Sequence, residues 1–181
     1  MKHLIEEIRK ALECGLYHCA FALTLTLPDI CAQIAYPDLK GNENARKRYE
    51  KWVDEYVDPI FYLPKEIELP AQNFNGYACY LLRCAFLHHG DTNLKRHNDN
   101  IKIHEFRLHF DNFDLHGGFS RIQSEPYFCI DLDVSQLCYH ICQAVFSFYC
   151  NHEKQFQNFK PAICDVSWPA EAYEQLFIMQ E

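Results

Sequence analysis

An arginine stands alone in an apolar stretch. Between Gly76 and Leu87 every residue but Arg83 is apolar or aromatic. A guanidinium does not lose its charge at physiological pH, so wherever this segment is enclosed Arg83 must meet an anion. Two answers are open. One is a partner carboxylate, for which Glu6, Asp29 and Asp54 are candidates; the other is a phosphate received in a cleft, to which the planar fork of arginine is suited. Five residues on, His88 and His89 precede Gly90 and Asp91, so imidazoles able to move protons near neutral pH lie at the end of the same segment. A five-residue step on a regular helix turns about 140° around the axis, which sets Arg83 and His88 apart. A distorted last turn, or a second copy of the helix beside the first, would bring them together. A buried Arg83 locked to a carboxylate, with His88 on an unrelated face, would leave only a structural role.

Further cations cluster at Arg46, Lys47, Arg48 and Lys51, in the first two turns of a helix expected over 44–57. Cations at a helix N-terminus oppose its dipole by a few tenths of a kcal/mol each, about the scale of a surface pair. The cluster reads either as a solvated face or as a phosphate patch, and Arg46, Arg48 and His89 are the candidate substrate-binding residues. His88, His89, Asp91 and His97 invite a metal, but adjacent histidines at a helix end point apart, and neither H-E-x-x-H nor a zinc deaminase signature is present. No metal and no cofactor are expected.

The ten cysteines form no C-x-x-C pair and most lie among Leu, Phe and Ala, as small core residues do. The start, Met1 to Glu7, reads as an acid-bearing amphipathic helix and not a signal peptide, so the expected compartment is reducing and cytoplasmic. No apolar run reaches the roughly 18 to 20 residues of a membrane span, and no membrane association is expected. A net charge of −8 argues against coating nucleic acid through a broad basic surface.

Length and an apolar content of 49% in 181 residues fit one domain over 1–181. Helical periodicity runs from 4 to about 26, and Pro28 either kinks this helix or opens a second one through Ala35. A helix over 73–89, capped by Gly90, should be the enclosed central helix. Strand-like segments at 101–110 and 127–132 flank Gly117 and Gly118, giving an inserted β-hairpin over about 101–132. Asp133 and Gln136 form a capping box that starts a helix to about 157, and a short final helix is expected over 167–178.

With this order of elements, the segment from Tyr77 to Asp91 resembles the HEPN superfamily, helical bundles that often carry an R-x4-6-H motif. Arg83 to His88 fits the shortest form of the motif and Arg83 to His89 the next. The resemblance implies a mainly α, HEPN-like bundle of four to five helices. It implies metal-independent RNA cleavage of toxin or phage-defence type, with Arg83 on the phosphate and His88 as acid or base. The other implied role is a non-catalytic module binding a nucleotide or a protein partner. Expected partners are RNA or a nucleotide, a second copy of the chain in a homodimer, and an antitoxin or other protein. Catalytic members frequently carry Asn, Asp or His directly after the arginine, where this chain has Cys84.

Overall fold

Glycine at position 15 splits the first expected helix in two. The computed structural model describes residues 1–58, 74–90, 92–94, 103–110, 118–121 and 128–156. α1 (Lys2–Glu13) ends where Gly15 takes φ +71°, and α2 (Tyr17–Ala35) begins two residues later. The Leu16 amide donates to the Ala11 carbonyl at 2.8 Å and the Gly15 amide to Leu12 at 3.0 Å, the paired bonds of a glycine C-cap. Pro28, in contrast, breaks nothing: α2 runs through it to Ala35 with Pro28 buried. The Leu25 carbonyl, one turn before the proline, accepts a hydrogen bond from the Tyr49 hydroxyl at 3.3 Å.

α2 has the length and mean hydropathy, 1.2, that a membrane span requires, contrary to the sequence expectation. It is the core helix of the bundle, packed against α1, α3 (Ala45–Tyr56) and α5 (Val134–Asn151), with Phe21, Leu25, Leu27 and Cys31 wholly buried. The Thr24 hydroxyl, also buried, donates to the Ala20 carbonyl. α2 therefore takes the central place expected of the 73–89 helix.

That later helix is shorter and more open than expected. α4 (Gly76–Cys84) starts at Asn75, whose side chain accepts from the Ala78 amide at 3.1 Å, and it packs against α3. A Cβ at Gly76 would stand 2.1 Å from the Glu50 carbonyl oxygen, so only glycine allows this approach. The Gly76 amide is held by Asp54 at 2.7 Å. Gly76, Ala78, Cys79 and Leu82 are buried while Tyr77, Tyr80, Leu81 and Arg83 are only half-buried, so the helix has an inner and an outer face. From Ala85 to His89 the chain widens into a π-helical turn, stopped by Gly90 at φ +67° as the sequence suggested.

The strand segments form a sheet, but not a hairpin. β1 (Ile103–His109) and β3 (Phe128–Asp133) pair in parallel, and β2 (Gly118–Arg121) pairs antiparallel on the far side of β3. A hairpin pairs its two strands antiparallel, whereas β1 and β3 are parallel, so the expected long-looped hairpin over 101–132 is corrected to a three-stranded mixed sheet of order β1-β3-β2. Phe106 lies opposite Ile130, and Leu108 opposite Leu132, on the face that joins the core. On the other face Arg107 pairs with Glu105 at 3.3 Å, and His109 meets Asp131 at 2.9 Å. Asp133 ends β3 and caps α5, accepting from the Gln136 amide at 2.8 Å. α5 stops at Asn151 and a short α6 (Glu153–Phe156) follows, packed on Phe148. The expected final helix over 167–178, and the irregular stretch around Pro64 and Pro70, lie outside the described residues. The bundle is mainly helical.

Candidate active site

The anion that Arg83 meets is Asp29. The two side chains approach to 2.6 Å, from α4 and from the turn of α2 just after Pro28, and both are largely enclosed, at 19% and 26% exposure. Burial pushes the Asp29 carboxyl above its ordinary range. Arg83, as ion-pair and hydrogen-bond partner, pulls it down, and Arg48 pulls less strongly. Two aromatic rings frame the guanidinium, Tyr49 at 5.6 Å and Tyr80 at 5.8 Å. Tyr49 is itself wholly buried, with its hydroxyl on the Leu25 carbonyl and 3.4 Å from the Cys79 sulfur.

The fork is only partly used. The Arg83 Nε–H is buried with no hydrogen-bond partner among the described residues. A buried donor left unmatched is rare in a folded chain and costs about 1 to 3 kcal/mol; the Trp52 Nε1–H is in the same state.

His88 has the opposite environment. It is exposed, makes no hydrogen bond, ion pair or ring contact with a described residue, and does not touch Arg83. What the structure adds is the π turn. A helix closed by i→i+5 bonds turns less per residue than an α-helix, so Ala85–His89 returns His88 toward the Arg83 side of the axis. The distorted last turn that the spacing required is present, although the two side chains remain apart.

The remaining sequence candidates divide. Arg46 pairs with Glu50 at 2.6 Å and lies over Tyr77 at 5.0 Å and Tyr80 at 5.7 Å, so it reaches the outer face of α4 beside Arg83. Arg48 is turned to the chain before α3, where its Nη1 donates to the carbonyls of Leu39 and Gly41. It pins that loop and does not join Arg83, except as a positive charge near Asp29. His89 is exposed beside His88. Lys51 lies 4.2 Å from the Tyr36 ring centre.

Tyr49 and Tyr80 were missed as site residues, because aromatic positions at helical spacing read as core. The only signal was a tyrosine three residues before the lone arginine. Every described cysteine carries a free thiol, and burial raises those of Cys31, Cys79 and Cys138 to about 12, which makes them poor nucleophiles. Among the described residues no group of three or more His, Cys, Asp and Glu side chains is gathered as metal ligands would be.

No family model, curated protein or solved structure matches this chain. The site therefore rests on its own geometry: a framed, half-buried cation with an unmatched donor in the last turn of α4, and an exposed imidazole on the widened turn that follows. Beyond Gly90 the π turn faces β1 across a cleft of about 400 Å³.

Proposed function

We propose that this protein is an HEPN-type, metal-independent endoribonuclease in which Arg83 binds the scissile phosphate and His88 transfers the proton. The observation that carries this reading is the buried Nε–H of Arg83, without a hydrogen-bond partner among the described residues, in a guanidinium whose Nη2 meets Asp29. Asp29 and the Tyr49 and Tyr80 rings orient the fork, and binding of RNA opens the enclosed Nε–H to a phosphate oxygen.

In the reaction the ribose 2′-oxygen bonds to phosphorus while the bond from phosphorus to the 5′-oxygen breaks. One proton leaves the 2′-hydroxyl and one reaches the departing 5′-oxygen. His88, exposed and without a partner among the described residues, serves one of these transfers, and the Arg83 charge offsets the negative charge that builds on the phosphate between them. Because the two side chains of one chain do not meet, the working site pairs Arg83 of one protomer with His88 of a second across a two-fold axis. RNA is the substrate, a homodimer the working form, and the cytoplasm the compartment in which the free thiols persist. A toxin or phage-defence role, with an antitoxin as a protein partner, is the biological setting this chemistry suits.

The test is incubation of the purified protein with RNA in the presence of chelator, followed by analysis of the product ends. Cleavage leaving 2′,3′-cyclic phosphate and 5′-hydroxyl ends is expected. Intact RNA across a range of sequences would overturn the reading. The Arg83–Asp29 pair taken alone favours a structural role for Arg83; the alternative that keeps a site is a nucleotide- or partner-binding module without catalysis. Binding of RNA without cleavage distinguishes it.

A further inference from the structure

The sheet is an elaboration that a helical bundle does not need, and its edge strand faces the π turn at Phe86 and Gly90. The 400 Å³ cleft between them is lined by Phe86 and Gly90 of the π turn, by Thr92, by His18 at the start of α2, and by residues 105–108 of β1. Its size lies within the range of about 300 to 1,000 Å³ usual for small-molecule sites. His18 is exposed and stacks on Phe86, ring centres 6.0 Å apart and planes 22° from parallel, and so presents an aromatic surface at the cleft wall.

The opposite wall is the outer edge of β1. The Phe106 amide donates to the Thr92 carbonyl at 3.0 Å, and the Leu94 amide to the His104 carbonyl at 2.8 Å, which fixes the direction of the strand's backbone groups. Even-numbered residues of this stretch point away from β3, because hydrogen-bonding direction alternates along a strand. The Phe106 carbonyl and the Leu108 amide therefore face the cleft together, an acceptor and a donor two residues apart on one edge. Residues 92–94 cover only the beginning of this edge, through the bridge of Asn93 to Glu105.

We propose that this cleft is a nucleobase subsite for single-stranded RNA, in which the base stacks against His18 and Phe86 and its Watson–Crick edge pairs with the Phe106 carbonyl and the Leu108 amide. Every nucleobase carries a donor beside an acceptor on that edge, so the backbone pair accepts all four bases, as stacking does. Arg107, held by Glu105 at 3.3 Å, is placed at the rim for a backbone phosphate. The inserted sheet thereby supplies the substrate grip that the bundle lacks. This inference rests on the RNA-cleaving reading of Arg83 and His88, and places the base beside the turn that bears His88. An extended peptide suits the cleft less well, since residues 92–94 already occupy part of the strand edge it would need.

The experiment is a titration of the ¹⁵N-labelled full-length protein with each of the four nucleoside 5′-monophosphates, and with ribose 5-phosphate as the base-free control, followed by NMR. Saturable shifts at the amides of Leu108, Gly90 and Thr92 are expected with all four nucleotides and not with ribose 5-phosphate. His18→Ala should weaken binding about tenfold, the scale of one lost aromatic stack. Leu108→Pro, which removes the outward amide from an edge strand where proline is tolerated, should weaken it similarly. The proposal is overturned by absence of saturable shifts, by equal shifts with ribose 5-phosphate, or by unchanged affinity in both variants. Nucleotide binding without RNA cleavage keeps the subsite and removes the nuclease. RNA cleavage with no response at Leu108 removes the subsite alone.

Discussion

The last turn of α4 and the π turn after it are built by different means. In the first, Arg83 is held by what surrounds it: Asp29 from α2, Tyr49 from α3, and a helix approach close enough to require Gly76. In the second, His88 is exposed, with no hydrogen bond, ion pair or ring contact to a described residue, and its direction is set by the π turn and the left-handed Gly90. A charge that must be partly desolvated to act strongly needs a packed frame, whereas a proton-transfer group needs access. The contrast teaches that chemistry and stability should be separable at His88 and entangled at Arg83.

The largest effect expected is on activity. His88→Ala should reduce RNA cleavage by about 100-fold or more, the usual worth of a general acid or base, with the melting temperature unchanged because the side chain is exposed and has no hydrogen-bond, ion-pair or ring partner among the described residues. A substantial drop in melting temperature would break the contrast. Gly76→Ala should be the most destabilising single change on the inner side, about 3 kcal/mol in urea unfolding, since the added methyl meets the Glu50 backbone and neither helix can move without the other.

Arg83→Ala leaves the Asp29 carboxylate largely enclosed without its partner and should cost about 2 to 3 kcal/mol, below the full cost of a wholly buried pair. The double variant Arg83→Met with Asp29→Leu removes both charges and should recover to within about 1 kcal/mol of the native stability. Denaturant midpoints for the single and double variants measure this coupling. Gly90→Ala puts a side chain at φ +67° with nothing within 4 Å to clash, so only the conformational cost of about 1 kcal/mol is expected.

The smallest expected effect is on pH dependence. Burial holds the Asp29 carboxyl above its ordinary value, so the folded chain binds that proton more tightly than the unfolded chain does. This contribution to stability is full below the unfolded carboxyl value and is lost as pH rises through the raised folded one. Asp29→Asn should flatten that part of the stability curve, measured as urea midpoint against pH.

Much of this was legible in the sequence, and the failures have physical causes. The mainly helical class, the Asp133 cap and the Gly90 stop follow from local rules, and Asp29 was among three carboxylates able to meet Arg83. The choice among them depended on α2 continuing through Pro28, a tertiary outcome that local proline rules do not give. The Gly15 break was overlooked because apolar periodicity continues across it. Strand positions were readable from alternation, but pairing direction was not, since the four-residue β2 has too little pattern to announce itself and decides the topology. The tyrosine frame of Arg83 looked like ordinary core because burial and ligand framing use the same residues.

The most direct test of the central claim compares RNA cleavage, with chelator present, by the native protein, by His88→Ala, and by the charge-free Arg83→Met with Asp29→Leu pair, each shown to be folded by thermal melting. Native cleavage and loss in both variants at near-native stability is the expected result: two successive turns of one helix, one framed by packing and one set by backbone, acting on the same phosphodiester. Native-level cleavage by either folded variant would contradict it.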